Sequence, residues 1–321
     1  MRLNAYSIKS PSYFLGLVVC VAMVLVAGSL RAQNPSQAQD RAQLLRAQTN
    51  PTYGPEPSAE DQGYAVASPN DKDLGEQQIL KRQEEYKPFT FSFAVPFFYT
   101  SNVALTSSGV EDDVLVAPAL AFTYQPRITG TLYGEISLVQ QFFFYDRFPD
   151  LNFTSFDAVA GLTYYLPQFH NLSLRARYDF NRLTDDDFYP FFNNNSFILN
   201  AELPFRFGRA QQLALGVTTE FSFASDPDAP RRNNYSIYAA YSANLSRSFF
   251  VSASALLAVR DYYVGDRTDV NEILGLSANY RVREWLTLSF LSSFAWNQSN
   301  QNVFDYSVAN VGAGVGVTFR F

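Results

Sequence analysis

The one histidine of the sequence, His170, stands shortly ahead of Ser173 in the stretch Gln168-Phe169-His170-Asn171-Leu172-Ser173. A serine near an imidazole is the smallest pairing that supports nucleophilic hydrolysis, the ring accepting the hydroxyl proton as general base. The surroundings argue against that use. His170 falls in a short connection between two long alternating runs, where a histidine is expected as a solvated surface residue. The one cysteine, Cys20, lies inside an apolar leader, so the mature chain has no thiol nucleophile, disulfide or thiolate metal site. The sequence also lacks a cluster of ligands at metal-binding spacing and a glycine-rich phosphate loop. The expectation is a protein that is not an enzyme and carries no metal and no cofactor.

What remains able to do chemistry is a set of charged side chains spaced by two. Leu172, Leu174, Ala176, Tyr178 and Phe180 alternate with Ser173, Arg175, Arg177, Asp179 and Asn181. A period of two sends successive side chains to opposite faces of a strand, so the charges share one face and the apolar residues the other. Phe89, Phe91, Phe93, Val95, Phe97 and Tyr99 alternate in the same way with Thr90, Ser92, Ala94, Pro96 and Thr100. So do Leu213, Leu215, Val217, Phe221 and Phe223 with Gln212, Ala214, Gly216, Thr218, Glu220 and Ser222. Over the whole chain the charges on the polar face are Glu135, Asp157, Arg175, Arg177, Asp179, Glu202, Arg206, Glu220, Arg260, Arg281 and Arg320, nearly balanced in sign.

The elements that position these charges are unusually long. About twelve runs follow one another, near 89–100, 113–125, 128–145, 153–166, 170–182, 196–207, 210–224, 234–246, 248–263, 270–282, 285–297 and 305–321. Ordinary strands average about 5–6 residues, whereas a tilted strand crossing a bilayer needs about 9–11. Short connections at 125–127, 167–171, 208–210, 246–248 and 283–284 alternate with long ones at 101–112, 146–152, 183–195, 225–233, 265–269 and 298–304. The long connections are acidic, with Glu111, Asp112, Asp113, Asp185, Asp186, Asp187, Asp226, Asp228, Asp266 and Asp269, while Arg127, Arg209, Arg247 and Arg283 mark the short ones.

Aromatic residues border the apolar band at both ends. Tyr124, Tyr164, Phe205, Phe207, Phe249, Tyr280 and Phe319 lie toward the short turns; Phe142, Phe144, Phe180, Phe221, Phe223, Phe294 and Trp296 lie toward the long loops. Two girdles are the placement of amphipathic rings in a membrane. A soluble sandwich would have no use for them at both ends of every strand. The fold expected is all-β, a transmembrane antiparallel up-and-down β-barrel of about 12 strands, apolar outside and polar toward the lumen. An even count lets the first and last strands pair and close the sheet.

Upstream, an apolar run at 13–30 preceded by Arg2 and Lys9 reads as a secretory signal peptide over 1–32. Its removal takes Arg2, Lys9 and Arg31 and no acid, so the net charge of −6 becomes −9, which argues against a nucleic-acid partner. Residues 33–87 are rich in Gln, Pro, Ala, Asp and Glu and are expected to be a mostly disordered periplasmic segment. Two stretches in it, 37–48 and 73–86, have helical composition, though helices this short are marginal in water. Docking of this segment onto a periplasmic partner, or into a pore, is the sharper alternative. The barrel occupies 88–321.

The chain ends Gly316-Val317-Thr318-Phe319-Arg320-Phe321. This ending resembles the C-terminal β-signal of Gram-negative outer-membrane β-barrel proteins, a glycine and then apolar residues alternating to a terminal aromatic. Gly316, Val317, Phe319 and Phe321 match its positions. The resemblance, to a porin-like class, implies an outer-membrane location with both termini periplasmic. It implies as partners the barrel-assembly machinery, acting through the last strand, together with outer-membrane lipid and lipopolysaccharide. Residues 33–87 are too few for the folded plug of the TonB-dependent transporters, and no passenger domain of the autotransporter kind is present.

The function expected is a narrow channel for passive passage of small solutes or ions, whose wall charges set the barrier. The alternative is a non-conducting barrel, an anchor or adhesin-like surface protein, in which Arg175 and Arg177 pair with Asp157 and Glu202 and fill the interior. A lipid hydrolase is expected less, because outer-membrane enzymes of that kind need a histidine toward the outer leaflet and His170 lies at the other rim. The stretch 188–192, followed by Asn193, Asn194 and Asn195, is expected as a loop folding inward as a constriction or outward as a tip.

Overall fold

Alternation of this length leaves one stable arrangement for backbone groups in lipid, a sheet closed on itself with no free edge. A computed structural model describes residues 34–49 and 86–321 apart from residue 209. The leader lies outside the described residues, as does 73–85 of the second helix-capable stretch. One helix, α1 (Pro35–Thr49), precedes the strands β1 (Phe89–Thr100), β2 (Asp113–Val116), β3 (Ala119–Tyr124), β4 (Arg127–Thr129), β5 (Leu132–Tyr145), β6 (Phe153–Leu166) and β7 (Leu172–Thr184). They continue as β8 (Pro190–Phe207), β9 (Gln211–Asp226), β10 (Arg232–Asn244), β11 (Phe249–Tyr262), β12 (Thr268–Arg283), β13 (Leu286–Ser299) and β14 (Tyr306–Arg320).

These segments make twelve staves. β2 and β3 are one stave interrupted at Ala117-Pro118, since proline has no N–H for the ladder, and both pair with β1 and β5. β4 is a short arm folded back on β5 through a turn at Gly130, whose φ is +50°. The tight turn expected at 125–127 is therefore displaced to Gly130 by Pro126, and the run expected from 128 splits in two. Every neighbouring pair is antiparallel, and β1 closes on β14 from Thr90↔Arg320 to Thr100↔Asn310. Phe89 and Phe321 exchange both backbone hydrogen bonds at 3.0 Å, so the last residue completes the ring.

The outward register carries the apolar set. Phe93, Phe97, Leu174, Leu199, Val217, Phe223 and Leu276 are all exposed. An uninterrupted belt of this kind suits hydrocarbon and not water. The core is consequently inside the barrel. Two expectations about the loop end change here. β8 begins at Pro190, so the long connection expected at 183–195 shrinks to 185–189; Phe188 and Tyr189 form an exposed tip while Phe192 is fully buried in the wall. Asp113 and Asp269, placed by the sequence in the acidic long connections, are buried: Asp113 accepts from the backbone N–H groups of Val114, Arg147 and Phe148, and Asp269 is clamped by Arg267 and Asn297.

Candidate functional site

The site is the lumen, and α1 lies across its loop end. Asn34 caps the helix, its Oδ1 accepting from Ser36 N–H at 3.1 Å, and Pro35 follows at a position where a missing N–H is harmless. The composition expected a marginal helix over 37–48; tertiary contacts on several sides make it a stable one over 35–49. Ala38, Ala42 and Leu45, spaced to share one stripe, pack in a cluster with Phe98, Leu115, Phe143, Phe153, Leu183 and Phe192. Leu44 packs with Leu105, Ile273, Ala295, Tyr306 and Val308. Val103 and Leu105 come from the first long loop, which turns inward over the helix and is pinned by Asn102, whose Nδ2 donates to Thr106 O and Ser307 O.

Ion pairs at two points, Asp40 and Arg46, tie the helix to the wall. Asp40 meets two guanidinium groups from adjacent strands, Arg232 Nη2 at 2.7 Å and Arg260 Nη1 at 3.2 Å, and accepts from Tyr306 O–H at 3.2 Å. One turn on, Gln43 Oε1 accepts from the same two arginines at 3.1 and 3.4 Å. The side chains of Asp40, Arg232 and Arg260 are each at most 3% exposed. Behind them Arg232 donates to Tyr262 O–H, and Arg260 donates to Asn271 and Asn297, so both guanidinium groups are held in place by the wall. On the other side of the lumen Arg46 grips Asp157 through two contacts of 2.5 and 2.7 Å and also donates to Ser155. Asn181 donates to Asp157 at 2.7 Å.

Toward the turn end the wall pairs with itself by a repeated device. Glu135, Gly161 and Arg177 are consecutive across β5, β6 and β7, and Arg177 passes over the bare glycine to Glu135 at 3.6 Å. Tyr238, Gly216 and Glu202 are consecutive across β10, β9 and β8, and Tyr238 O–H donates over Gly216 to Glu202 at 2.6 Å. A Cβ at position 161 would stand 2.6 Å from Arg177 Cγ, and one at 216 would stand 2.2 Å from Tyr238 Cζ. Glycine is required at both places by the side chain that crosses it. Arg175 completes this layer by donating to Asn200 at 3.1 Å and pairing with Glu202 at 3.4 Å.

The sequence-derived residues therefore separate into three groups. Glu135, Arg175, Arg177 and Glu202 form the paired lower wall, with Glu220 accepting from Asn234 at 2.7 Å. Asp157 and Arg260 contact the helix; the pairing of Asp157 with Arg175 or Arg177 is replaced by the pair with Arg46. Asp179 lies within electrostatic reach of Asp157, Glu220, Arg46 and Arg177. Arg206, Arg281 and Arg320 keep the inward register but sit exposed at the turn rim.

At that rim Gly316, Val317 and Phe319 pair with Ala94, Phe93 and Phe91, and Phe321 stacks on Phe89 at 5.6 Å between ring centroids. His170 is exposed in a left-handed turn residue, φ +55°, with its ring 6.3 Å from Phe205, while Ser173 is buried inside the barrel.

Sequence reasoning missed Asp40, Arg46, Arg232 and the inward apolar ring. Part of that ring was readable. In Phe97-Phe98 and Phe142-Phe143-Phe144 both registers are apolar, so one member of each must face inward toward something apolar.

No family model matches this sequence, and no curated protein matches it. Among solved structures, an outer membrane channel from Pseudomonas putida F1 superposes with a TM-score of 0.50 at 12% identity, over 73% of this chain and 98% of that one. The KdgM porin superposes with a TM-score of 0.40 at 9% identity, over 70% and 99%. The NanC porin gives 0.43 at 8%, over 70% and 98%. At these identities the likeness is one of fold, and the fold is that of an outer-membrane β-barrel.

Proposed function

We propose that this protein is an outer-membrane channel for small solutes that is held closed by its own N-terminal helix. The observation that carries the reading is the pair of latches, Asp40 to Arg232 and Arg260, and Arg46 to Asp157, which tie α1 to opposite sides of the lumen. A barrel built only as an anchor needs its interior filled, and apolar side chains fill space without the cost of desolvating charges. Here the segment that fills the upper lumen adds to its apolar contacts a set of ion pairs with the wall, which water can replace when the segment leaves. On this reading the loops face outside and both chain termini the periplasm, so the helix reaches the outer mouth through the pore. Hydrolysis has no support from the exposed turn residue His170.

The second reading, a non-conducting barrel, is favoured by the lower wall, where Arg175–Glu202 and Arg177–Glu135 neutralise each other. Proteoliposome swelling in small sugars and amino acids separates the two. Ala38 is fully buried under the apolar cluster, so Ala38→Glu displaces the helix while leaving the barrel wall intact. Swelling faster than that of the unaltered chain, with a folded, heat-modifiable barrel on a gel, is the expected result. A folded Ala38→Glu barrel that passes nothing would leave the anchor reading.

A further inference from the structure

We infer that the Arg232–Arg260 pair is a carboxylate-binding subsite of the pore, and that Asp40 is a tethered stand-in for the carboxylate of the solute. This deepens the channel reading and rests on it. Two guanidinium groups on neighbouring strands repel each other and are expensive to bury, so a wall that holds them together needs an anion between them. Among the described residues the acid that pairs with either is Asp40, which belongs to the helix and not to the wall. Besides the helix's own Gln43, the hydrogen-bond partners of the pair are Tyr262, Asn271 and Asn297, neutral wall groups that aim the two forks without discharging them. When the helix leaves, the wall presents two pre-oriented cations with Tyr306 O–H as a third donor.

That donor set matches a carboxylate. Arginine binds planar oxyanions through parallel N–H donors, and orientation by neighbouring hydrogen bonds removes much of the entropic cost of doing so. Asp40 itself marks the place, one oxygen 2.7 Å from Arg232 Nη2 and the other 3.2 Å from Arg260 Nη1 and accepting from Tyr306 O–H. The lower wall offers no competing cationic site of this kind, since Arg175 and Arg177 already face Glu202 and Glu135. A solute carboxylate and the Asp40 carboxylate therefore compete for the same place, and the solute promotes its own entry by displacing the helix.

The test uses the full mature chain in a planar bilayer, with succinate against chloride and N-methylglucamine as counter-cation throughout, at matched ionic strength. The expected result is a saturable rise in opening frequency with succinate over chloride, at least several-fold, and its loss in Arg232→Gln and Arg260→Gln. Equal opening in succinate and chloride would mean screening of the latch alone and would overturn the inference while leaving a gated channel. If the unaltered chain and Arg232→Gln are both silent, the channel reading fails, and calorimetry of detergent-solubilised Asp40→Ala decides the site separately. Saturable succinate binding there, absent from the double Asp40→Ala, Arg232→Gln chain, would support the subsite; no binding would overturn it.

Discussion

Asp40→Asn should open the channel far more than Arg46→Gln, although each removes a single charge. Asp40 and its two arginines are at most 3% exposed, so the substitution leaves two buried cations facing an uncharged amide. Removing one partner of a buried pair costs about 3–5 kcal/mol, which corresponds to a shift of roughly 150- to 5,000-fold in the ratio of closed to open states. The Arg46 side chain is 26% exposed, so water reaches its side of the pair, and Asp157, 7% exposed, keeps the hydrogen bond from Asn181 when Arg46 is lost. A partly solvated pair is worth about 1 kcal/mol or less, roughly a fivefold shift. Single-channel recording of the full chain at one voltage gives both ratios from dwell times. Equal effects, or a larger effect from Arg46→Gln, would refute the assignment of Asp40 as the principal latch. Unchanged dwell times in both would refute the helix as the gate.

Acid should open the same gate. Burial raises the Asp40 carboxyl, but Arg232, Arg260 and Arg267 outweigh it and hold the docked group below its ordinary value of 3.8. The contribution of Asp40 to docking is thus complete above 3.8 and is lost as pH falls through the docked value, so open probability should climb below about pH 4 and Asp40→Asn should not show the climb. In the lower wall, Gly216→Ala places a methyl group 2.2 Å from Tyr238 Cζ, which must swing away and release its hydrogen bond to the Glu202 carboxylate. A loss of about 1.5–3 kcal/mol is expected in reversible urea unfolding in detergent. Gly316→Ala, whose added methyl meets Ala94 Cβ at 4.0 Å, should unfold within about 0.5 kcal/mol of the unaltered chain.

The barrel was legible because membrane strands announce themselves twice, by period and by length. Phe89–Thr100 and Phe153–Leu166 have the bounds that alternation alone assigns, and the even stave count and the loop asymmetry follow. Proline shifted the expected bounds where it cut the ladder, at Pro118 and Pro126, since a donor is missing while the hydrophobic pattern runs on. The wall charges were legible as a face and not as pairs. Arg177 meets Glu135 two staves away because Gly161 intervenes, and no pattern within one run carries that information. Arg232 looked like loop because the alternation of its strand becomes visible only from residue 234, two positions later. Asp40 could not be matched with it across 192 positions of sequence without the closed barrel.

The helix itself shows why its role is hard to read and why it suits a gate. Its sequence, Pro35–Thr49, has two leucines and a scatter of Gln, Asp and Arg, too little apolar surface to fold or dock alone. Fifteen residues of this composition are marginal as a helix in water, so helicity and docking stabilise each other and form one cooperative event. A release that breaks the Asp40 contacts therefore also removes the support for the helix, and the plug leaves as a flexible chain instead of a rod wedged in the pore. A longer or more apolar helix would remain folded after release and would continue to obstruct the lumen. On the proposed reading, the polar, weakly helical character of this segment, which makes it look like a disordered tail in the sequence, is the property that would let its departure clear the channel.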